Sequence, residues 1–250
     1  MPRGFSDYGV NTAAYGQYIL DHAELAARLK SPTRYDRKGN VIYLSDFSNG
    51  VDDWENHLVA DSKAGCYIDR GYISPGALRV TPPSYGASTS WLVKYLPIIS
   101  AGIYGFETLF SFQWEAAKLA TVVELSVSYF TGAAWVAFSV RVNPNNKVIQ
   151  IYTDIGGSGV YKTILTIPDT MVLPLPNILY HYLKFTINVD TNLYGRLLFN
   201  NYGVDCSDTS PWIYPDTTTP CLAVSLVANV NAWYLPVDFS SIVATMNEPL

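Results

Sequence analysis

The chain has 250 residues, of which 49% are hydrophobic and only 15% are charged. It can bury a substantial core but has few charges to cover its surface, so we expect part of that surface to contact other protein. The formal net charge of −5 argues against a nucleic-acid-binding face, and no apolar run has membrane-spanning length, so we expect neither nucleic acid nor membrane as a partner.

Residues 1–40 differ from the rest of the chain and are predicted to form a slightly basic N-terminal arm. The segment DHAELAARLKSP within it predicts a short helix, because it opens with a capping box and ends before a proline. Leu25 and Leu29 share one face of this helix, with Arg28 beside them. A helix this short is stable only when docked, so we expect these three residues to serve assembly. The arm has no apolar signal segment, which predicts synthesis in a cytosol.

From residue 41 onwards hydrophobic and polar residues alternate, and turn signals such as SNG, NPNN, GGSG and DTN separate the alternating runs. About a dozen or more such runs are too many for an immunoglobulin-like domain. Residues 41–250 are therefore predicted to form an all-β domain, a two-sheet antiparallel jelly-roll sandwich. The segments IPDTMVLPLP and SPWIYPDTTTP are interpreted as long surface loops.

Two strand-like runs allow a prediction of which side chains face the core. In TVVELSVSYF, Val123, Leu125 and Val127 lie on one face and Glu124 on the other. The run HYLKFTINVDTNLYGRLLFNN reads as a hairpin, with Lys184 on an outward position where it is solvated or paired. Two stacked sheets with one exposed face each would produce this pattern.

Four segments carry a resemblance to a known superfamily: VIYLSDFSNGVDDWE, GALRVTPP, YHYLKFTINVDTNLYGRLLFNN and AWYLPVDFSSIVAT. In this order they resemble the concanavalin A-like lectin/glucanase superfamily, which includes laminin-G-like and many carbohydrate-binding jelly rolls. Within that superfamily, the start without a signal, the short helical arm and the single sandwich look most like jelly-roll proteins of bacteriophage virions.

The carboxylates do not form the pattern of a glycosidase. Such enzymes need two carboxylates facing each other, and glucanases of this superfamily carry them two residues apart on one strand. Glu107 and Glu124 each stand alone in their runs. No Gly-x-Ser-x-Gly motif is present, and the three histidines are interpreted as structural. We therefore predict that the protein is not an enzyme.

The chain has three cysteines: Cys66, Cys206 and Cys221. A sparse, odd count does not describe a disulfide framework, so we interpret them as buried thiols. A bridge between Cys206 and Cys221 is the alternative if the compartment is oxidising.

No cofactor is predicted, with one alternative: jelly rolls of the superfamily that the chain resembles often bind a calcium ion where the first and last strands meet. Asp46 ends the first strand and Asp238 lies in the last, and both offer the hard oxygen ligands that calcium prefers. The alternative for Asp46 is that it caps the turn SDFSNG.

Exposed aromatic side chains are the usual platforms for sugars. Trp212 and Tyr214 lie in the predicted loop SPWIYPDTTTP and are the candidates, either for a sugar or for contact with a neighbouring subunit. Trp54, Trp114 and Trp135 fall in strand-like runs and are predicted to lie in the core.

Two function classes follow from these observations. The first is a non-enzymatic virion structural protein, of the capsid decoration or cementing type. It would form a homo-oligomer or bind other virion proteins through its N-terminal arm and aromatic surface. The alternative is a carbohydrate-binding module of concanavalin A-like fold, with glycans as partners.

Overall fold

The structure is a computed structural model that describes residues 39–51, 53–58, 62–68, 76–81, 88–96, 101–112, 122–167, 180–200, 202–215, 221–230 and 235–248. The predicted N-terminal helix, with Leu25, Arg28 and Leu29, lies outside these residues. Most of the segment IPDTMVLPLP also lies outside them.

Sixteen strands are present in the described residues. They are β1 (Asn40–Ser45), β2 (Glu55–His57), β3 (Lys63–Ile68), β4 (Gly76–Thr81), β5 (Ser88–Leu96), β6 (Ile103–Phe112), β7 (Val122–Phe130), β8 (Ala134–Asn143), β9 (Val148–Ile155), β10 (Ser158–Thr166), β11 (Tyr180–Asn188), β12 (Leu193–Phe199), β13 (Tyr202–Asp205), β14 (Trp212–Pro215), β15 (Leu222–Val230) and β16 (Val237–Met246).

The strands form two sheets of eight strands each. The A sheet has the order β13-β12-β11-β6-β16-β4-β3, with β1 also paired to β16. The B sheet has the order β10-β9-β8-β7-β15-β5-β2, with β14 also paired to β8. Within each sheet, every pairing between these strands is antiparallel. The predicted all-β sandwich of two antiparallel sheets is confirmed.

The core lies between the sheets, and strand periodicity explains its composition. In β7, Val123, Leu125 and Val127 are fully buried, whereas Glu124 on the opposite face is half-buried. Burying one such aliphatic side chain stabilises the fold by about 1.5–3 kcal/mol. The A sheet contributes large aromatic side chains such as Phe185 to the same core.

The hairpin of β11 and β12 is confirmed, but the expectation that one of its faces is exposed to solvent is wrong for β11. Both faces of β11 are buried: Phe185 on the core side is 0% exposed, and Lys184 on the outer side is 1% exposed. Lys184 is paired, because its Nζ lies 2.8 Å from Oε1 of Glu248, which also accepts a hydrogen bond from the Thr245 hydroxyl at 2.6 Å. The outer side of the A sheet is therefore not exposed to solvent at this strand.

One side chain of the A sheet reaches into the B sheet and organises it. The Tyr194 hydroxyl on β12 accepts a hydrogen bond from the Ser139 amide at 2.8 Å and lies 2.8 Å from the Tyr152 carbonyl. The ladder between β8 and β9 ends at Val140 and Ile151, and β14 pairs instead with residues 134–137 of β8. Tyr194 therefore supplies hydrogen bonds where β8 changes its partner.

The predicted loop SPWIYPDTTTP contains a strand, so that part of the loop prediction is wrong. Trp212–Pro215 forms β14, in which Trp212 pairs with Ala137 and Tyr214 with Trp135. Flanking prolines hid this short strand in the sequence, because proline is confined to strand ends and edges.

The cysteines are only partly as predicted. Cys206 is buried, Cys221 is half-buried and Cys66 is exposed, so the prediction of three buried thiols is wrong for two of them. No disulfide joins Cys206 and Cys221.

Within the described part of the chain, no helix has the length and apolar character needed to cross a bilayer.

Candidate functional site

The outer side of the B sheet carries a group of polar and aromatic side chains that the strand register brings together. Glu124 on β7 lies opposite Arg141 on β8, which lies opposite Gln150 on β9, which lies opposite Thr163 on β10. The next row contains Ser139, Tyr152 and Tyr161, and β14 adds Trp212 and Tyr214. We term these side chains the aromatic face: Glu124, Ser139, Arg141, Gln150, Tyr152, Tyr161, Thr163, Trp212 and Tyr214.

Four rings form a continuous aromatic path on this face. Trp212 and Tyr214 stack with their centroids 4.3 Å apart. Trp212 meets Tyr152 edge-on at 5.6 Å, and Tyr152 lies 4.8 Å from Tyr161. All four side chains are half-buried, so part of each ring reaches solvent. The two residues singled out from the sequence, Trp212 and Tyr214, are therefore one end of a larger platform.

A glycine makes this arrangement possible. A Cβ on Gly159 would lie 2.5 Å from Cζ of Tyr152 and 3.0 Å from Cδ2 of Trp212. Real Cβ atoms do not come that close, so these two rings rest directly on the backbone of β10 at this residue. Any side chain on Gly159 would push Tyr152 outward.

A polar network continues from the aromatic path. The hydroxyls of Ser139 and Tyr161 donate to the two carboxylate oxygens of Glu124 at 2.6 and 2.7 Å. The Arg141 guanidinium lies 3.5 Å over the ring of Tyr161, and its Nε donates to Gln150 Oε1 at 2.8 Å. Cation–π contact and hydrogen bonding together hold the guanidinium in one plane.

Tyr161 lies along the sheet rather than standing upright from it. Its strand is three strands away from that of Glu124, a backbone separation of roughly 14 Å at normal strand spacing. A tyrosine can bridge most of this separation only when it lies nearly flat across β9 and β8. The face of its ring is therefore presented to Arg141, as the stacking distance shows.

Burial changes the acid–base properties of this network. It raises the pKa of Glu124 above its ordinary value, while hydrogen bonds from Ser139 and Tyr161 and the charge of Arg141 act in the opposite direction. Burial also raises the pKa of Tyr161, and the neighbouring Glu124 carboxylate raises it further. Tyr161 is therefore a hydrogen-bond donor at all ordinary pH values.

Further aromatic side chains line the same outer side of the B sheet. Trp135, predicted to lie in the core, is instead half-buried on this side and packs 5.9 Å from Phe130. The prediction for Trp54 is confirmed, since that side chain is 4% exposed. Trp114 lies outside the described residues. Near the far edge of the sheet, Trp91 stacks on His57 at 5.1 Å.

The two predicted calcium ligands do not fit a shared ion. Asp238 is 3% exposed, and the Nε and Nη2 atoms of Arg79 lie 2.6 and 2.7 Å from its two carboxylate oxygens. Asp46 accepts hydrogen bonds from the amide and hydroxyl of Ser48, which is the capping alternative. Asp46 follows Ser45, which pairs with a residue four positions along β16 from Asp238, so the two carboxylates are well separated. Calcium binding stays a prediction that these contacts do not favour.

No other metal centre emerges from the described strands and turns. There, no group of three or more His, Cys, Asp or Glu side chains lies together in a metal-binding arrangement.

A separate pocket of about 540 Å³ lies on the A sheet, where β12 meets β13. Its described lining consists of Gly195, Arg196, Leu198, Gly203, Val204, Asp205 and Ser207. None of these residues is aromatic, so this lining offers no platform for a sugar ring. We therefore take the aromatic face as the candidate site.

Sequence reasoning found one end of this site and missed the rest. Arg141, Gln150, Tyr152 and Tyr161 are not identified as site residues from the sequence, although Arg141, Gln150 and Tyr152 alternate with core residues in β8 and β9. The available signal was the mixture of polar and aromatic residues on outward positions of three successive strands. Their meeting depends on the register between strands, which alternation alone does not supply.

Comparisons with known proteins show the fold. No protein-family model matches the chain, and no match was found among curated proteins. An endo-beta-1,4-glucuronan lyase from the fungus Trichoderma reesei superposes with a TM-score of 0.53 at 9% identity, covering 83% of this chain and 96% of the lyase. The CBM2 module of the evolved Dit of Lactobacillus casei BL23 phage J-1 gives 0.51 at 11% identity, covering 85% of this chain and 98% of the module.

Lectin II from Ulex europaeus has a lower TM-score of 0.45 at 13% identity, covering 79% of this chain and 99% of the lectin. Structural likeness at such low identities shows the fold alone. The lyase and the CBM2 module support the two-sheet jelly-roll sandwich architecture of this chain. Its resemblance to the concanavalin A-like superfamily stays a prediction beyond that fold.

Proposed function

We propose that this chain is a non-catalytic carbohydrate-binding domain and that a glycan lies along the aromatic face of the B sheet. The observation that carries the proposal is the half-buried stack of Trp212 and Tyr214, continued by Tyr152 and bordered by Arg141 and Gln150. Sugar rings have apolar faces that pack on aromatic rings and hydroxyls that need polar partners. The aromatic face offers both on an accessible sheet surface.

The structural likenesses support this proposal in a limited way. Of the structures named above, one is a lyase named for a polysaccharide and another is a CBM2 module, each with a TM-score above one half. Both share the two-sheet fold, which in this chain places the aromatic face on the outer surface of a sheet. The residues of that face carry the proposal.

The proposal of a non-catalytic role rests on the spacing of carboxylates. Hydrolysis of a glycosidic bond needs two carboxyl groups about 5–9.5 Å apart. Glu124 lies on the aromatic face, and Asp154, another described carboxylate on this side of β9, is two strands and four residues away, roughly 16 Å by strand geometry. Asp154 also accepts the Gly157 amide in the turn at 2.7 Å. Release of reducing ends or unsaturated products from any bound polysaccharide would contradict this proposal.

A glycan array followed by calorimetry on the best ligand tests the proposed function. We expect Trp212→Ala and Tyr214→Ala each to weaken binding by about tenfold or more, because aromatic anchors dominate recognition. Tyr202→Ala is the matched control, since Tyr202 is an exposed tyrosine on β13 of the A sheet. A protein that binds no glycan, or loses affinity equally in all three variants, would refute the proposal.

A second candidate is that this domain works as part of a virion, as a capsid decoration or other structural protein. The supporting observation is the likeness to a module of a phage protein. The two roles are compatible, since a particle can present a glycan-binding domain. Particle incorporation of the full chain and of a variant lacking residues 1–40, measured by antibody labelling, tests the role of the arm. Equal incorporation of both would contradict arm-mediated assembly.

A further inference from the structure

The guanidinium of Arg141 is held in place on the aromatic face as if for a ligand. Arg141 is half-buried near the middle of a row of four strands. Tyr161 supports one face of the guanidinium at 3.5 Å, and Gln150 accepts from its Nε at 2.8 Å. Gln150 is itself held by Thr163, whose hydroxyl accepts from Nε2 at 3.2 Å. The side chain therefore has little freedom left to lose on binding.

The terminal nitrogens of Arg141 remain available. Among the described residues, Arg141 makes its hydrogen bond through Nε, and neither Nη1 nor Nη2 has an acceptor. Four of its five N–H donors are thus open for a partner. A partly buried guanidinium without a counter-charge in contact favours an anionic ligand.

Glu124 does not neutralise Arg141 by contact, although the two residues face each other across β7 and β8. Its carboxylate oxygens are turned towards the hydroxyls of Ser139 and Tyr161. Glu124 fixes Tyr161, and Tyr161 supports Arg141, so Glu124 is a positioning residue. Burial raises the pKa of Glu124, which further weakens its competition for the guanidinium at mildly acidic pH.

We propose that the aromatic face selects glycans that carry carboxylates on their sugar rings, that is, uronate-containing chains, with Arg141 binding the carboxylate through its terminal nitrogens. This inference rests on the proposed carbohydrate-binding function and names its ligand class. A guanidinium matches a carboxylate in a two-point geometry. Trp212 pairs with Ala137, and Ala137 lies four residues from Arg141 along β8, so the Cα atoms of Ala137 and Arg141 are roughly 13 Å apart. That distance suits a short oligosaccharide whose one end stacks on Trp212 while another unit reaches Arg141.

Calorimetry with two matched probes tests the inference: β-linked glucuronate oligosaccharides and cello-oligosaccharides of the same length, which differ at C6 of each sugar. We expect the wild-type protein to bind the glucuronate probe roughly 10- to 100-fold more tightly, as for hydrogen bonds to a charged group. Arg141→Gln should abolish this preference, so that the two probes bind with similar affinity. Arg141→Lys should lose most of the preference, because an ammonium cannot make the two-point contact.

Lys162→Gln is the matched control, because it also removes one positive charge. Lys162 is exposed and follows Tyr161 directly on β10. It should retain the preference of the wild-type protein. Equal binding of both probes, or equal loss in the Gln variants of Arg141 and Lys162, would overturn the inference and leave the proposed function standing. Failure of both probes and of every other glycan to bind would overturn both proposals.

Discussion

The buried imidazole of His181 predicts that the protein loses stability in mild acid. His181 is 3% exposed, stacked 5.5 Å from Phe199 and packed 5.8 Å from Phe110. Its Nδ1 lies 3.1 Å from the Asn200 amide nitrogen, and the other Asn200 atom, Oδ1, accepts the amide of Tyr182. The amide orientation is thereby fixed, so Nδ1 must accept a hydrogen bond and stay unprotonated.

The size of the expected loss of stability follows from the lowered pKa of His181. Burial lowers the pKa of His181 from 6.5 to about 4. The unfolded chain therefore binds a proton in this interval that the folded protein does not, and stability falls as the pH falls from about 6.5 towards about 4. At 1.36 kcal/mol per pKa unit, the free energy of unfolding should drop by about 3 kcal/mol across the interval.

Urea unfolding between pH 4.5 and 7.5 measures this contribution. His181→Gln should flatten the fall in stability on the acid side, because a neutral side chain has no proton to gain. A His181→Gln variant with the wild-type slope, or an NMR titration midpoint for His181 near 6.5, would refute the reasoning.

Three further predictions concern the ion pair, the carboxyl and the glycine described above. Lys184→Met removes the partner of the buried Glu248 carboxylate and should cost about 3–5 kcal/mol in chemical unfolding, with part recovered by adding Glu248→Leu; a loss below about 1 kcal/mol would contradict it. Burial raises the pKa of Glu124 in the folded protein, so its contribution to stability is fully present below pH 4.5, the ordinary pKa, and is lost as the pH rises through the folded pKa. The free energy of unfolding of Glu124→Gln, relative to the wild-type protein, should therefore increase with pH. A pH-independent difference would argue against this. Gly159→Ala should weaken glycan binding by about tenfold with the fold retained, whereas Gly203→Ala, which meets a neighbouring side chain only at 3.2 Å, should not; unchanged binding in both would count against the platform.

Alternation in the sequence predicts much of the sandwich, because each strand must bury one face. Val123 and Leu125 were placed in the core correctly on this basis, as was the hairpin around Asn192. Lys184 shows the limit of such reasoning. Its outward position was predicted, but its burial and its pairing with Glu248, a residue 64 positions away, depend on tertiary packing that local pattern does not encode.

The candidate site was less predictable for the same reason. Trp212 stood out as an aromatic residue among prolines, but its strand was hidden by them. Glu124 and Tyr161 are 37 residues apart and meet only because β7, β8, β9 and β10 follow one another in the B sheet. A single carboxylate in a strand does not indicate hydrolysis, and the role of Glu124 in holding Tyr161 is visible only in the register of the sheet.

The most direct test of the central claim is to map where a glycan binds. In an NMR titration of the isotope-labelled chain with the glycan selected by the array, we expect shifts of the Trp212 indole N–H and of the Gly159 and Arg141 amides. The Tyr202 amide on the A sheet should stay unchanged. Shifts confined to the pocket around Arg196, with the aromatic face silent, would contradict the account.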